Sequence, residues 1–162
     1  MSLTTADRLA LADLVHLYAS AVDDRRFDDV VELFTRTAEL RLPDPPRSLE
    51  AVRSHHGRDG VRSAMGALAA VTRTEHAIVG EVYAPGDRAD YALGRITCIA
   101  HHWTVAGDQI TDLVWHLRYD DEYLRTPARV ANSRPRVDHQ RDRDAAGSSP
   151  SSTETRRSSS GR

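Results

Sequence analysis

The side chains in this sequence best suited to chemistry are carboxylates and imidazoles. Asp23 and Asp24 follow an apolar run, His76 lies within TEHAIVG, and His101-His102 closes the stretch GRITCIAHH. An aspartate beside a histidine in apolar surroundings suits proton transfer. Burial raises the carboxylate pKa, ion pairing opposes that, and both groups then titrate near neutrality. On this reading Asp23 and His102 form an acid/base pair, with His76 orienting substrate or water. Other chemistries lack their residues. No G-x-G-x-x-G, Walker loop or G-x-S-x-G occurs, so nucleotide binding and serine hydrolysis have no support. The His55-His56 and His101-His102 pairs lack the i, i+4 or C-x-x-C spacing of a strong metal site, and neither a metal nor a cofactor is expected. Cys98, the only cysteine, has no activating neighbour in the sequence and no disulfide partner.

These groups need elements to position them. Leu11, Leu14, Val15, Tyr18 and Val22 recur at helical spacing, and Thr4 with Asp7 resembles a capping box, so a helix is expected over 5–22. After Asp23-Asp24-Arg25-Arg26, the residues Phe27, Val30, Val31, Leu33 and Phe34 predict a second, shorter helix. Two readings of Asp23 therefore stand side by side: a cap for that helix, or a catalytic carboxylate. Ala38, Leu40 and Leu42 alternate as in a strand, which Pro43-Asp44-Pro45-Pro46 ends. Residues 43–57 read as a long polar lid loop with His55 and His56 solvated, and a third helix is expected from Asp59 to about Ala70. Strands follow at roughly 74–84, 89–105 and 110–125, separated by Pro85-Gly86-Asp87-Arg88 and Ala106-Gly107-Asp108. Helices first and long antiparallel strands afterwards make an α+β domain.

The period of two in a strand decides which side chains face together. Ala92, Gly94, Ile96, Cys98, Ala100 and His102 share one face of the longest strand, and their small side chains leave volume for a ligand. His101 points the other way, which makes His102 the candidate of the pair. On the next strand Leu113, Trp115, Leu117, Tyr119 and Tyr123 share a face that reads as a pocket wall. Tyr18, Cys98, Trp115 and Tyr119 are the candidate substrate contacts. The plainer alternative is that the two histidines and the aromatic stripe are satisfied core residues.

The 162 residues fit one domain, and no apolar run approaches the length of a membrane span. With no signal-peptide pattern at the N-terminus, a cytoplasmic location is expected. All 22 basic residues are arginine, read here as the coding bias of a GC-rich bacterial genome. Residues 127–162 carry 8 Arg and 4 acidic residues, leaving 14 Arg and 20 acidic residues in the body, a net charge of −6. An acidic body argues against nucleic acid as a partner. The domain is expected over 1–126, with one more strand at 129–137. Residues 138–162 are expected to form a disordered Ser/Arg-rich tail, because their last sixteen hold 7 Ser and no large apolar residue.

Four segments carry a resemblance: YASAVDDRRFDDVVELF (18–34), TEHAIVG (74–80), GRITCIAHH (94–102) and YDDEYLRT (119–126). In order and spacing the chain resembles the SnoaL-like branch of the NTF2-like superfamily, which implies a cone of three N-terminal helices on a curved, mostly antiparallel sheet around an apolar cavity. That family includes polyketide cyclases, ketosteroid isomerases, limonene-epoxide hydrolases and scytalone dehydratase, beside non-catalytic binding proteins. The likeness to scytalone dehydratase sets Asp23, His76 and His102 at its catalytic positions and Tyr119 near a substrate-contacting amide. Val22 and Leu42 stand where that enzyme has two tyrosines holding its catalytic water, and the final strand lacks the family's Trp. The resemblance implies acid/base dehydration, isomerisation or cyclisation of a hydrophobic cyclic or polyketide-like molecule. The alternative it leaves is a module that binds an apolar ligand or a partner protein. It also implies a homodimer, consistent with the apolar Leu93, Ile99 and Trp103 on the second face of the sheet.

Overall fold

Thr4 opens the first helix, α1 (Thr5–Asp23). Its hydroxyl accepts from the Asp7 N–H at 3.2 Å and the Asp7 carboxylate accepts from the Thr4 N–H at 3.0 Å, so two otherwise orphaned donors are satisfied reciprocally. Leu11, Leu14, Val15, Ala19 and Val22 form its buried stripe. The computed structural model describes residues 2–44, 47–126 and 130–139, with 132–139 as backbone. Helix α2 (Phe27–Glu32) buries Val30 and Val31. The strands are β1 (Glu39–Asp44), β2 (Ser48–His56), β3 (Arg73–Pro85), β4 (Tyr91–Ala106), β5 (Gln109–Arg125) and β6 (Val130–His139). Helix α3 (Gly57–Gly66) and a 3-10 turn (Ala67–Ala70) join β2 to β3. One curved sheet runs in the order β2-β1-β6-β5-β4-β3, antiparallel except for β1 beside β6. The class is α+β, as the sequence implies.

Three expectations need correction. The lid loop at 43–57 is largely strand β2, paired antiparallel with β1 from Glu39 opposite His56 to Asp44 opposite Ser48. Of its nine residues only Ala51 is buried, because β2 is the sheet edge and an edge strand carries charge and polarity on its open side. Pro43 sits inside β1 at a register irregularity, where a missing backbone donor is tolerated. The third helix begins two residues before Asp59 and ends as a 3-10 turn. The strand expected at 129–137 is β6, and residues 140–162 of the expected tail lie outside the described residues.

Register turns the face patterns into rows across β3, β4 and β5. From the Thr74 end these are Thr74, His102, Leu113; then His76, Ala100, Trp115; then Ile78, Cys98, Leu117. A bulge between Ile78 and Gly80 shifts the facing of β3, and the rows resume with Glu81, Ile96, Tyr119 and with Tyr83, Gly94, Asp121. Tyr83 is consequently 7% exposed beside Val82 at 68%. Gly94 does not leave ligand volume: a Cβ placed there would lie 2.6 Å from the Tyr123 ring, which fills the space. The middle of the sheet is packed core around Gly94 and Tyr123.

Candidate functional site

Helix α1 packs on β3, and this brings its last residue, Asp23, to the second row of the sheet. One carboxylate oxygen of Asp23 is 2.7 Å from Nδ1 of His76, and the other accepts the His76 backbone N–H at 2.8 Å. Both oxygens are thus engaged by a single residue, which fixes the ring and puts a proton on Nδ1. The His76 side chain is 7% exposed and that of Asp23 23%. Desolvation is the largest influence on Asp23 and pushes its pKa up. The ring and backbone donors of His76 and the charge of that ring outweigh it, and the carboxyl titrates below its ordinary range.

His102 lies on the inner face, 7% exposed, with its ring centroid 5.9 Å from that of His76 and 4.8 Å from that of Trp115. Its Nδ1 is 3.3 Å from the carbonyl oxygen of Leu113. A carbonyl only accepts, so the proton is assigned to Nδ1 and Nε2 keeps its lone pair. Burial, then the charge of His76, push the His102 pKa below its ordinary value against the Leu113 carbonyl and the charges of Asp23 and Asp112. His101 faces the opposite side, where its Nδ1 meets the Asp112 carboxylate at 2.7 Å and its ring stacks on Trp103.

The expected Asp23–His102 pair is therefore replaced by Asp23–His76, with His102 as the neighbouring imidazole. The strand order explains it: β3 lies at the sheet edge against α1, and β4 is one strand further in. Nor does either aspartate cap α2. Asp24 is the C-cap of α1, and the N-cap of α2 is Arg26, without a side-chain cap bond. Of the expected substrate contacts, Trp115 is half-buried beside His102. Cys98 and Tyr119 are core residues under the site, and Tyr18 packs edge-on against Tyr119 and Phe34. Burial, then the Asp23 charge, push the Cys98 thiol up to about 11 against its contact with Tyr119, which keeps it protonated. A hollow of about 760 Å³ lies on the outward face of the sheet, between Val82, Leu93, Arg95, Asp120 and Glu122, and carries neither Asp23 nor the two histidines. Among the described residues no three His, Cys, Asp or Glu side chains gather as metal ligands.

Two residues matter that sequence reasoning missed. Thr74 is buried on the inner face beside His102. Arg25, at φ 62°, is a non-glycine residue in the left-handed region. From there its guanidinium donates to the carbonyls of Leu68, at 2.7 Å, and Val71. The turn after Asp23 is thereby tied to the segment leading into β3, the strand that carries Thr74 and His76. Arg25→Ala keeps the backbone strain and loses both charged hydrogen bonds, and is expected to lower stability by about 1.5–3 kcal/mol. Arg25→Gly, free at positive φ, should recover part of that. Urea unfolding of the three proteins measures both steps, and equal midpoints would discard the clamp.

The sequence model described as SnoaL-like domain matches residues 4–134. An uncharacterised protein of Mycobacterium tuberculosis is 30% identical over 122 residues, 75% of this chain and 78% of that protein. A crystal structure from Novosphingobium aromaticivorans, provisionally named an aromatic ring hydroxylase, superposes with a TM-score of 0.72 at 25% identity over 85% of this chain and 91% of that one. Another from the same organism, provisionally named a scytalone dehydratase, gives 0.71 at 14% identity over 84% and 85%. Two chemistries appear in those two names, so the shared fold does not choose between them. No described helix is long and apolar enough to cross a membrane.

Proposed function

We propose, since this chain belongs to the SnoaL-like domain family, that it performs acid/base chemistry on a small hydrophobic cyclic or polyketide-like molecule, with His102 accepting a proton and His76, braced by Asp23, delivering one. The observation that carries this reading is the two-point grip of Asp23 on His76, through the ring Nδ1 at 2.7 Å and the backbone N–H at 2.8 Å. A core histidine needs one partner; a carboxylate that spends both oxygens on one residue holds its orientation. A proton on Nε2 of His76 makes an imidazolium against a carboxylate, while His102 is kept neutral by burial. Two like groups are thus set to opposite tasks by their surroundings. In a dehydration, His102 Nε2 takes a proton from carbon, the C–O electron pair leaves with the oxygen, and the oxygen takes the His76 proton and departs as water. In an isomerisation the proton returns to another carbon and no mass is lost. A binding module has no use for an aspartate committed in this way, which favours the enzymatic reading over that alternative.

The test is to incubate the protein with hydroxylated cyclic ketones and aromatic polyketides and follow each by mass and ultraviolet spectrum. Turnover with loss of one water, or an isomer of unchanged mass, is the expected result. Imidazole ¹⁵N titration tests the same reading without substrate. If His102 titrates at 6.5 or above, like a solvated ring, the assignment of an acceptor fails.

We further propose a homodimer formed through the outward face of the sheet. Val82, Leu93, Val105, Ile110 and Val114 stand out from that face at 40–71% exposure, an apolar surface that a second copy would cover. Leu93→Arg should convert the dimer into a monomer in size-exclusion chromatography with light scattering. A wild-type monomer at micromolar concentration would remove this proposal.

A further inference from the structure

Thr74 is 2% exposed, and its Oγ1 is buried without a hydrogen-bond partner. A stranded hydroxyl is unfavourable, and a valine of nearly the same shape would avoid this. Its position supplies a reason to keep it. Thr74 stands in register opposite His102 and two residues before His76, so the three side chains share the inner face of the sheet. It also lies close enough to Asp23 to favour the ionised carboxylate while remaining outside hydrogen-bonding geometry. Across from it, His102 commits Nδ1 to the Leu113 carbonyl and leaves Nε2 as an acceptor. A hydroxyl with no acceptor in hydrogen-bond geometry therefore stands beside the residue whose Nε2 is left as an acceptor. The Trp115 ring lies 4.8 Å from the His102 ring, and Leu113 is 53% exposed, giving the place an apolar rim.

We infer that Thr74 Oγ1 and His102 Nε2 are a matched pair that binds one hydroxyl group of a small alicyclic alcohol, the ligand oxygen accepting from Thr74 while its proton is donated to His102. A ketone satisfies only Thr74, and a hydrocarbon satisfies neither. This rests on the reading of the Asp23–His76–His102 end as a small-molecule site, and adds the functional group that the molecule must present and the residue that selects it; the hydroxyl contact is the resting one, and it is released when the single Nε2 lone pair turns to carbon.

The experiment titrates the full chain with cyclohexanol and with cyclohexanone, following the imidazole ¹⁵N and Trp115 indole signals. Wild type should bind the alcohol about five- to tenfold more tightly than the ketone, the difference that one hydrogen bond makes. Thr74→Val should weaken both compounds by a similar factor while unfolding at or above the wild-type temperature. Thr74→Ser should restore the affinity, and His102→Leu should erase the preference for the alcohol. Three outcomes overturn the proposal: Thr74→Val binding cyclohexanol as wild type does, a loss that Thr74→Ser fails to restore, or equal affinity for alcohol and ketone in wild type. If both compounds move the His102 signals but Thr74→Val changes nothing, this inference falls and the acid/base reading stands. If neither compound moves His102 or Trp115, both fall together.

Discussion

Asp23→Asn should reduce kcat on any compound the protein turns over by about 10²–10⁴-fold, the range for losing a well-placed acid/base group or the aspartate that orients one. The carboxylate meets two donors of His76, the ring Nδ1–H at 2.7 Å and the backbone N–H at 2.8 Å. An amide has one acceptor and one donor. If its oxygen keeps the backbone N–H, its NH₂ faces the ring, and His76 must either turn away or give up its Nδ1 proton. Nε2 then carries the only proton of a neutral imidazole, and the imidazolium that delivers a proton is lost. Because the change is in orientation, kcat should fall far more than KM rises, and the ¹⁵N shifts of His76 should exchange their pattern. The variant also tests linkage. The folded pKa of Asp23 lies below its unfolded value, so ionised Asp23 adds stability that is present above the unfolded pKa, near 3.9, and is lost as pH falls through the folded one. Asp23→Asn should remove that part of the acid limb of a stability–pH profile. A kcat within threefold of wild type, with the His76 shifts unmoved, would sink the role given to this residue.

How far such a site can be read from sequence depends on the kind of geometry involved. Facing is legible, because a period of two separates His102 from His101 with no knowledge of the neighbours, and the structure puts them on opposite sides. The start of α1 is legible for the same local reason, since Thr4 and Asp7 meet within one turn. Lateral neighbours are not. Nothing in the spacing of Asp23, His76 and His102 says which strand lies under the end of α1, and the edge position of β3 decides the pairing in favour of His76. Gly94 fails for a related reason. A small residue in a strand looks like space, yet the next strand supplies Tyr123 to occupy it. Strand β2 escaped notice because an edge strand with one buried residue has no alternation to detect. Thr74 could have been found: it lies two residues before His76, on the same face by the rule that selects His102, but a threonine in a strand ordinarily signals only β propensity.

His102→Gln is the second variant with a large expected effect, and it separates catalysis from stability through pH. Glutamine keeps polarity and approximate length but cannot take up a proton near neutrality, so kcat should fall by about 10²–10⁴-fold, and the acid limb of the kcat profile due to the proton acceptor should vanish. The stability effect has a definite sign. Burial lowers the folded pKa of His102 below its ordinary 6.5, so between those two values this residue binds more protons in the unfolded chain than in the native one, and its contribution to stability declines as pH falls below 6.5. The charged groups facing the ring do not reverse this: Asp23 and Asp112 oppose the shift, and burial with His76 exceeds them. His55 falls in the same window, its pKa lowered by burial and then by Arg53 and His56. His102→Gln alone should therefore flatten the slope in part, and His55→Gln with His102→Gln should flatten it further. Asp23 acts in a separate window at lower pH, so its contribution persists in both variants. Protonation of His102 also places a cation against Trp115, whose fluorescence should change with the midpoint of that ring and lose its pH dependence in His102→Gln. A Trp115 signal that titrates identically in wild type and in His102→Gln would show that the ring beside it carries no proton of consequence, and the proton acceptor would have to be sought elsewhere.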